Sequence, residues 1–406
     1  MRHETPIAAE RQYSPLYFLA ALGAGGLTVT FFMYLMFWVP HPGRPVPIFE
    51  DIMSYFVGAD LIGQVSVIAA VAGIAALTIL HFKLLFWNIG QFKAYRKTAA
   101  YTALLASNAE TQLLAVPLTL AMSVNAGFIV GLVFVPGLWT VVEYLFPLAL
   151  IAFVAIGIYA FALLARFLGR VKAHGGFDMA ANNSFAQMMP AFALGMVSVG
   201  AAAPSAMSQV PWVVGLSLTL STFFATAAVL FGIVAIVLAI SSMIQHGTAP
   251  EAAPTIMVVV PILTVLGITY LRQNHGLHTT FDVHSVAGET FMFLTTFLTI
   301  QILFALLGLL IMRRQNYAAK FLTKTGTRSA GSYALICPGV AGSVMIQFWV
   351  NKGLVATGLI AKFGVAYWAF TMPALILQFG MIYLVWKLHR LHFSRPQAGA
   401  MAVPAE

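Results

Sequence analysis

Charge is scarce in this sequence. Only 8% of its 406 residues are charged and 60% are hydrophobic. A soluble domain carries about 25% charged residues, so the shortage excludes an ordinary soluble fold and points to a polytopic membrane protein. Cysteine is scarcer still. Cys337 stands alone, which excludes an internal disulfide framework and a cysteine-rich metal cluster. The opening MRHETPIAAERQYSP has no apolar run ending in a small-residue cleavage site, so no cleaved signal peptide is expected. Walker, Rossmann and nucleophile-elbow motifs are missing as well. A net charge of +9 would suggest nucleic acid in a soluble protein. Here the loops account for it, and no nucleic-acid partner is expected.

What the sequence has is long apolar runs, and its mean hydropathy is +0.90. About 20 apolar residues cross a bilayer. Ten such spans are predicted, at about 16–38, 61–82, 112–135, 139–168, 184–208, 211–242, 253–273, 287–312, 332–351 and 365–388. Basic residues favour cytoplasmic loops. With a cytoplasmic N-terminus, all of the 21 Lys and Arg except Arg44, Arg272, Lys352 and Lys362 fall inside. The expectation is a cytoplasmic segment at 1–15, a ten-helix transmembrane domain at 16–388 and a cytoplasmic tail at 389–406. The lipid environment expected is a bacterial inner (plasma) membrane.

Four of these spans carry a proline at a corresponding depth: Pro117, Pro190, Pro261 and Pro338. From 117 to 190, 190 to 261 and 261 to 338 the intervals are 73, 71 and 77 residues, each one pair of membrane helices. Proline removes a backbone donor and clashes with the preceding turn. Broken helices at membrane depth survive where protein or a wet cavity satisfies them, and their repetition points to a transport pathway. Span 1 has Gly23, Gly25 and Gly26 instead, which also loosen a helix. The predicted fold is an all-α membrane protein with ten transmembrane helices. They form five helical hairpins around a central pore, with the odd helices inner and kinked at Pro or Gly.

Candidate site residues cluster beside these kinks. Thr119, Ser123, Asn125, Ser184, Gln187, Ser198, Thr255, Thr264, Ser332, Ser343 and Gln347 are polar and suit an anion pathway without a fixed charge. The competing reading makes each an interhelical hydrogen-bonding residue. Val116, Met189, Val260 and Cys337 directly precede the prolines and are expected to ring the narrowest level, gating it by dewetting. The stretch RQNHGLHTTFDVHSVAGE offers His275, His278, Asp282, His284 and Glu289, but its spacing matches no strong metal motif. It reads as a solvated loop or a pH-sensitive mouth. Glu110, Glu143 and Glu289 are candidate proton-coupling carboxylates. Glu110 and Glu289 lie so near span ends that interfacial capping is the better reading, and Glu143, one turn into span 4, is open to both. No histidine is expected near the centre of a span, which argues against haem ligation. No metal or cofactor is expected.

Ten spans, five hairpins and proline-bearing odd helices resemble the SLAC1/TehA family of anion channels and tellurite-resistance/dicarboxylate transporters. PTIMVVVPILTV on span 7 and SYALICPGVAGSVMI on span 9 carry the resemblance, which covers about residues 15–388. It implies a homotrimer in which each protomer moves small inorganic or carboxylate anions through its own pore. It also implies a phenylalanine plug just before the ninth-helix proline, where this chain has Cys337. A narrower resemblance to the TsoY-type branch, which includes selenoproteins, would give Cys337 a redox role. Redox or chalcogen chemistry at Cys337 and proton-coupled dicarboxylate transport are therefore the alternatives to an anion channel or transporter without enzymatic activity.

Overall fold

The computed structural model describes residues 13–284 and 286–393. Among these residues every regular element is helical. Ten helices are long and apolar enough to cross a membrane, as in a multi-pass membrane protein. They are span 1, Pro15–Trp38; span 2, Leu61–Tyr95; span 3, Asn108–Phe134; span 4, Val142–His174; and span 5, Phe185–Met207. Then come span 6, Pro211–His246; span 7, Ala253–Phe281; span 8, Ala287–Arg314; span 9, Ala330–Val355; and span 10, Val365–Phe393. Residues 1–12 and 394–406, most of the expected terminal segments, lie outside the described residues.

Spans 2 and 7 outrun the ends expected near 82 and 273. Hydropathy falls there but helical backbone does not stop. Asn88 holds the extension of span 2 to span 1 by donating to Tyr17 O, and it also donates to Leu84 O. Span 7 continues until Asp282 turns left-handed at φ 54°. His275 and His278 are therefore helical residues, not loop residues.

Burial divides the helices into two sets. In their most apolar windows spans 1, 3, 5, 7 and 9 are 78, 61, 89, 61 and 83% buried. Spans 2, 4, 6, 8 and 10 are only 33, 33, 22, 22 and 22% buried. An apolar helix left this exposed needs an apolar surround, which lipid provides. Each odd span packs on the even span that follows it. The odd spans also pack on one another in a closed circuit, 1 on 3, 3 on 5, 5 on 7, 7 on 9 and 9 on 1. Small residues let them close up. A Cβ on Gly195 of span 5 would lie 2.9 Å from Val265 Cγ2 of span 7.

All five odd spans begin as a 3-10 turn, at Pro15–Tyr17, Asn108–Leu114, Phe185–Met188, Ala253–Val258 and Ala330–Leu335. These turns touch in the same circular order as the spans. Ser14, Ser107, Ser184 and Ser329 cap four of them by accepting a backbone N–H two residues on. Serine is suited to that position because its hydroxyl satisfies an orphan donor.

The repeated prolines sit just after these turns. Pro190 is the second residue of its α-helical segment, and Pro117, Pro261 and Pro338 are the third. In a first helical turn the missing N–H costs little and the fixed φ fits. They mark where 3-10 backbone becomes α-helix, which corrects the expectation of breaks at mid-depth. Gly23 and Gly25 do not loosen span 1 either, because Phe18–Trp38 is one unbroken helix. They admit neighbours: an added Cβ would lie 2.8 Å from Ile336 Cγ2 at Gly23 and 2.8 Å from His81 Nδ1 at Gly25.

One odd span does break, at a place the proline repeat did not indicate. In span 5 the helix Met189–Ala201 stops at Ala202 and a short helix, Ala203–Met207, follows with Pro204 in its first turn. The carbonyls left at the break are taken up by side chains. Arg272 Nη1 donates to Val199 O and Ser217 Oγ to Ala201 O. A cation at a helix C-terminus is also favoured by the helix dipole.

Candidate functional site

A cavity of about 380 Å³ lies among the odd spans. Its lining comes almost wholly from spans 1, 3, 5, 7 and 9, with Pro45 and Val46 at one end. Val199 and Ala203 bring the break of span 5 to its wall. That is where non-helical backbone is tolerated at membrane depth. A second cavity, of about 30 Å³, lies toward the 3-10 turns and is lined by Leu19, Ala186, Met189, Pro254, Thr255 and Ala334, among others. Two residues line both cavities, Phe192 and Cys337. Both are buried, at 3% and 8% exposure. They form the partition between the two spaces.

The expected ring before the prolines is therefore only half assembled. Cys337 is in the partition and Met189 lines the small cavity. Val116 and Val260 line neither. Val116 is buried in the main core, and Val260 packs with Met257, Leu335 and Ala341 on the side of span 8. Gln301 of span 8 donates to Val260 O. Equal offsets from a proline do not mean equal facing, because each helix is rotated differently about its own axis and one residue turns it by about 100°.

The polar candidates divide in the same way. Asn125 and Thr264 line the large cavity. Asn125 Nδ2 points to Met196 Sδ at 3.7 Å, and Thr264 Oγ1 donates to Val260 O or Ala341 O and accepts from Gln301. Four of the others hold helices together. Thr119 donates to Phe18 O or Ala115 O, Gln187 to Asn108 O, Ser343 to Ala374 O and Ser198 to Ser221 O. Of the proline and glycine positions, Gly23, Gly26 and Pro261 line the large cavity.

Ser123 has a partner that corrects the reading of the histidines. His81, fully buried and near the middle of the extended span 2, bonds Ala21 O through Nδ1 at 2.7 Å and Ser123 Oγ through Nε2 at 2.8 Å. Ser123 also lies 2.9 Å from Thr119 O. The expectation of no central histidine fails because span 2 runs on past 82. Both ring nitrogens are engaged, so His81 clips spans 1, 2 and 3 together.

The acids are interfacial or paired. Glu110 is 2% exposed and receives Arg166 Nε at 2.7 Å and Arg170 Nε at 3.2 Å. It is an ion-paired tie between spans 3 and 4. Glu143 accepts from Ser208 Oγ and Gln209 N, just before span 6. Glu289 lies in the first turn of span 8. Among the described residues no three His, Cys, Asp or Glu side chains come together as a metal group.

The wide end of the large cavity differs in charge from the rest of its wall. Arg272, His275, His278 and Lys352 line it, and no Asp or Glu does. Lys352 comes from the π-helical turn Trp349–Val355 that closes span 9. Such wide turns are rare and recur at functional sites.

Phe192 is a site residue that the proline register alone does not single out. It is the only aromatic residue within three positions of any repeated proline, and that signal would have found it. No family model matches the chain, and no curated protein matches it.

Proposed function

We propose that the chain is an anion channel or transporter whose pathway runs along the axis of the odd helices. The observation that carries this reading is the pair of cavities separated by Phe192 and Cys337. The larger has cationic residues at its mouth and no carboxylate in its wall. A cavity with this lining attracts anions and repels cations, and the Asn125 amide at its wall offers a donor for weak solvation. Phe192 and Cys337 close the path. Here a phenylalanine from span 5 does what the SLAC1/TehA resemblance assigns to the position of Cys337. Five hairpins around this path, and a trimer of such protomers, are what the resemblance implies. With both termini cytoplasmic, as the distribution of Lys and Arg favours, the large cavity opens outward from a bacterial inner membrane.

The redox alternative gains no support from the surroundings of Cys337. A reactive thiol needs a cation or base against it to hold the thiolate, and among the described residues no Lys, Arg or His acts directly on Cys337, although the cationic cavity reaches it. The test is anion efflux from liposomes holding the purified chain. Phe192→Ala and Cys337→Gly are expected to raise the flux, Phe192→Ala by tenfold or more, since it removes the larger plug. If the unaltered chain and both variants pass no anion, the proposal fails.

A further inference from the structure

The large cavity is too roomy and too apolar for a single inorganic ion. Its 380 Å³ lies within the roughly 300–1,000 Å³ of pockets that enclose organic ligands, and is many times the roughly 30 Å³ share of one water molecule. Its wall is built of Phe32, Phe128, Ile268 and Phe348, with Met33, Met36, Met122, Met196 and Met207 between them. Five flexible thioethers make a surface that adapts to varied apolar shapes. Polar and cationic groups gather at the wide end instead.

Those cations lack counter-ions. Glu110 and Asp51 are taken by Arg166, Arg170 and Arg44. Among the described residues neither Arg272 nor Lys352 has a carboxylate partner. Arg272 commits Nη1 to Val199 O, which fixes the guanidinium while leaving four of its five N–H donors. Lys352 is exposed on the cavity side of its π-helical turn. For the half-buried Arg272 a wall without an anion is costly, and a ligand anion held there and by Lys352 relieves that cost.

We propose that the large cavity binds an amphipathic organic anion. The carboxylate or similar head sits between Arg272 and Lys352, and the apolar body lies against the methionine and aromatic wall below. This rests on the anion-pathway reading only for transport. The binding itself is measured without flux.

The test uses the full chain in nanodiscs of zwitterionic lipid. Acetate, butyrate and hexanoate are titrated by calorimetry, with hexanamide as the uncharged counterpart and empty nanodiscs subtracted. Affinity is expected to rise about fourfold for each added methylene, the effect of burying a CH₂ group. Hexanamide is expected to bind at least tenfold more weakly than hexanoate. Lys352→Gln is expected to weaken hexanoate about tenfold, and Arg272→Lys to weaken it less than Arg272→Gln. Since Arg272 also braces the break in span 5, Lys352→Gln and the amide keep the test decisive if Arg272 variants do not fold. Hexanoate binding no tighter than acetate, hexanamide matching hexanoate, or Lys352→Gln without effect would each overturn the proposal. Chloride flux without chain-length-dependent binding overturns it and leaves the pathway standing. Chain-length-dependent binding without any flux supports it and removes the pathway.

Discussion

The two ends of the bundle are built on opposite principles. At the end where the odd spans begin, five 3-10 turns pack in a circuit, serines cap four of them, and Glu110 is clamped by Arg166 and Arg170. The cavity that reaches toward these turns is about 30 Å³. At the other end span 5 breaks, span 9 widens into a π-helical turn, and a cavity of about 380 Å³ opens among Arg272, His275, His278 and Lys352. One end pairs its acid and caps its turns within the protein, while the other leaves cations facing a void. In the transport role proposed above, the rigid end would hold the register while the other admits a ligand.

The sharpest way to break this comparison is to disturb the packing of spans 5 and 7 at the open end. Gly276 of span 7 lies against the break in span 5, where an added Cβ would come within 2.3 Å of Ser205 O. Backbone cannot move aside as a flexible side chain can. Gly276→Ala is expected to cost about 3 kcal/mol and to lower the thermal midpoint of the purified protein more than loss of the Glu110 carboxylate does. The closed end is tested by Glu110→Gln, which leaves two arginines without their carboxylate. The expected loss is about 2 kcal/mol, below the range for fully buried pairs because Arg166 is 44% exposed. If the midpoint does not move, the closed end is not held by that tie.

A finer test separates the two kinds of polar residue that sequence alone could not tell apart. Ser343→Ala removes a buried hydroxyl that donates to Ala374 O and is expected to cost about 1 kcal/mol without changing anion flux. Asn125→Ala, at the cavity wall, is expected to change flux with a smaller effect on stability. The reverse pattern would mean that the large cavity is not on the path.

That pair also marks how far the sequence is legible. Span number and the inner or outer rank of each helix follow from apolar length and the odd-span motif, because both are properties of one helix at a time. The facing of Ser343 or Val260 depends on helix rotation, which only packing against spans 8 and 10 sets. His81 escapes a hydropathy reading for a related reason: hydropathy ends near 82, but the backbone continues because Asn88 and neighbouring aromatic rings pin it to span 1. The prolines are a repeat, as their spacing says, but they are not breaks. A missing N–H looks the same in sequence whether it lies mid-helix or in a first turn.

The smallest expected effect distinguishes the ends by pH. His41, in the connection after span 1, bonds Val39 O through Nδ1 and is half-buried. Burial lowers its pKa from the ordinary 6.5, and Lys352 and Lys362 lower it further, against the opposing pull of the Val39 carbonyl and Asp51. A histidine with a depressed folded pKa is neutral in the fold and takes up a proton more readily when unfolded. Its contribution to stability is present above the unfolded value near 6.5 and falls away as pH drops below it. Acidification from about pH 7.5 to 5.5 is therefore expected to destabilise the protein slightly, by less than about 1 kcal/mol. His41→Gln should remove that part of the acid sensitivity, read as the difference in thermal midpoint between the two pH values. An equal pH response in His41→Gln would assign the acid sensitivity to groups other than His41.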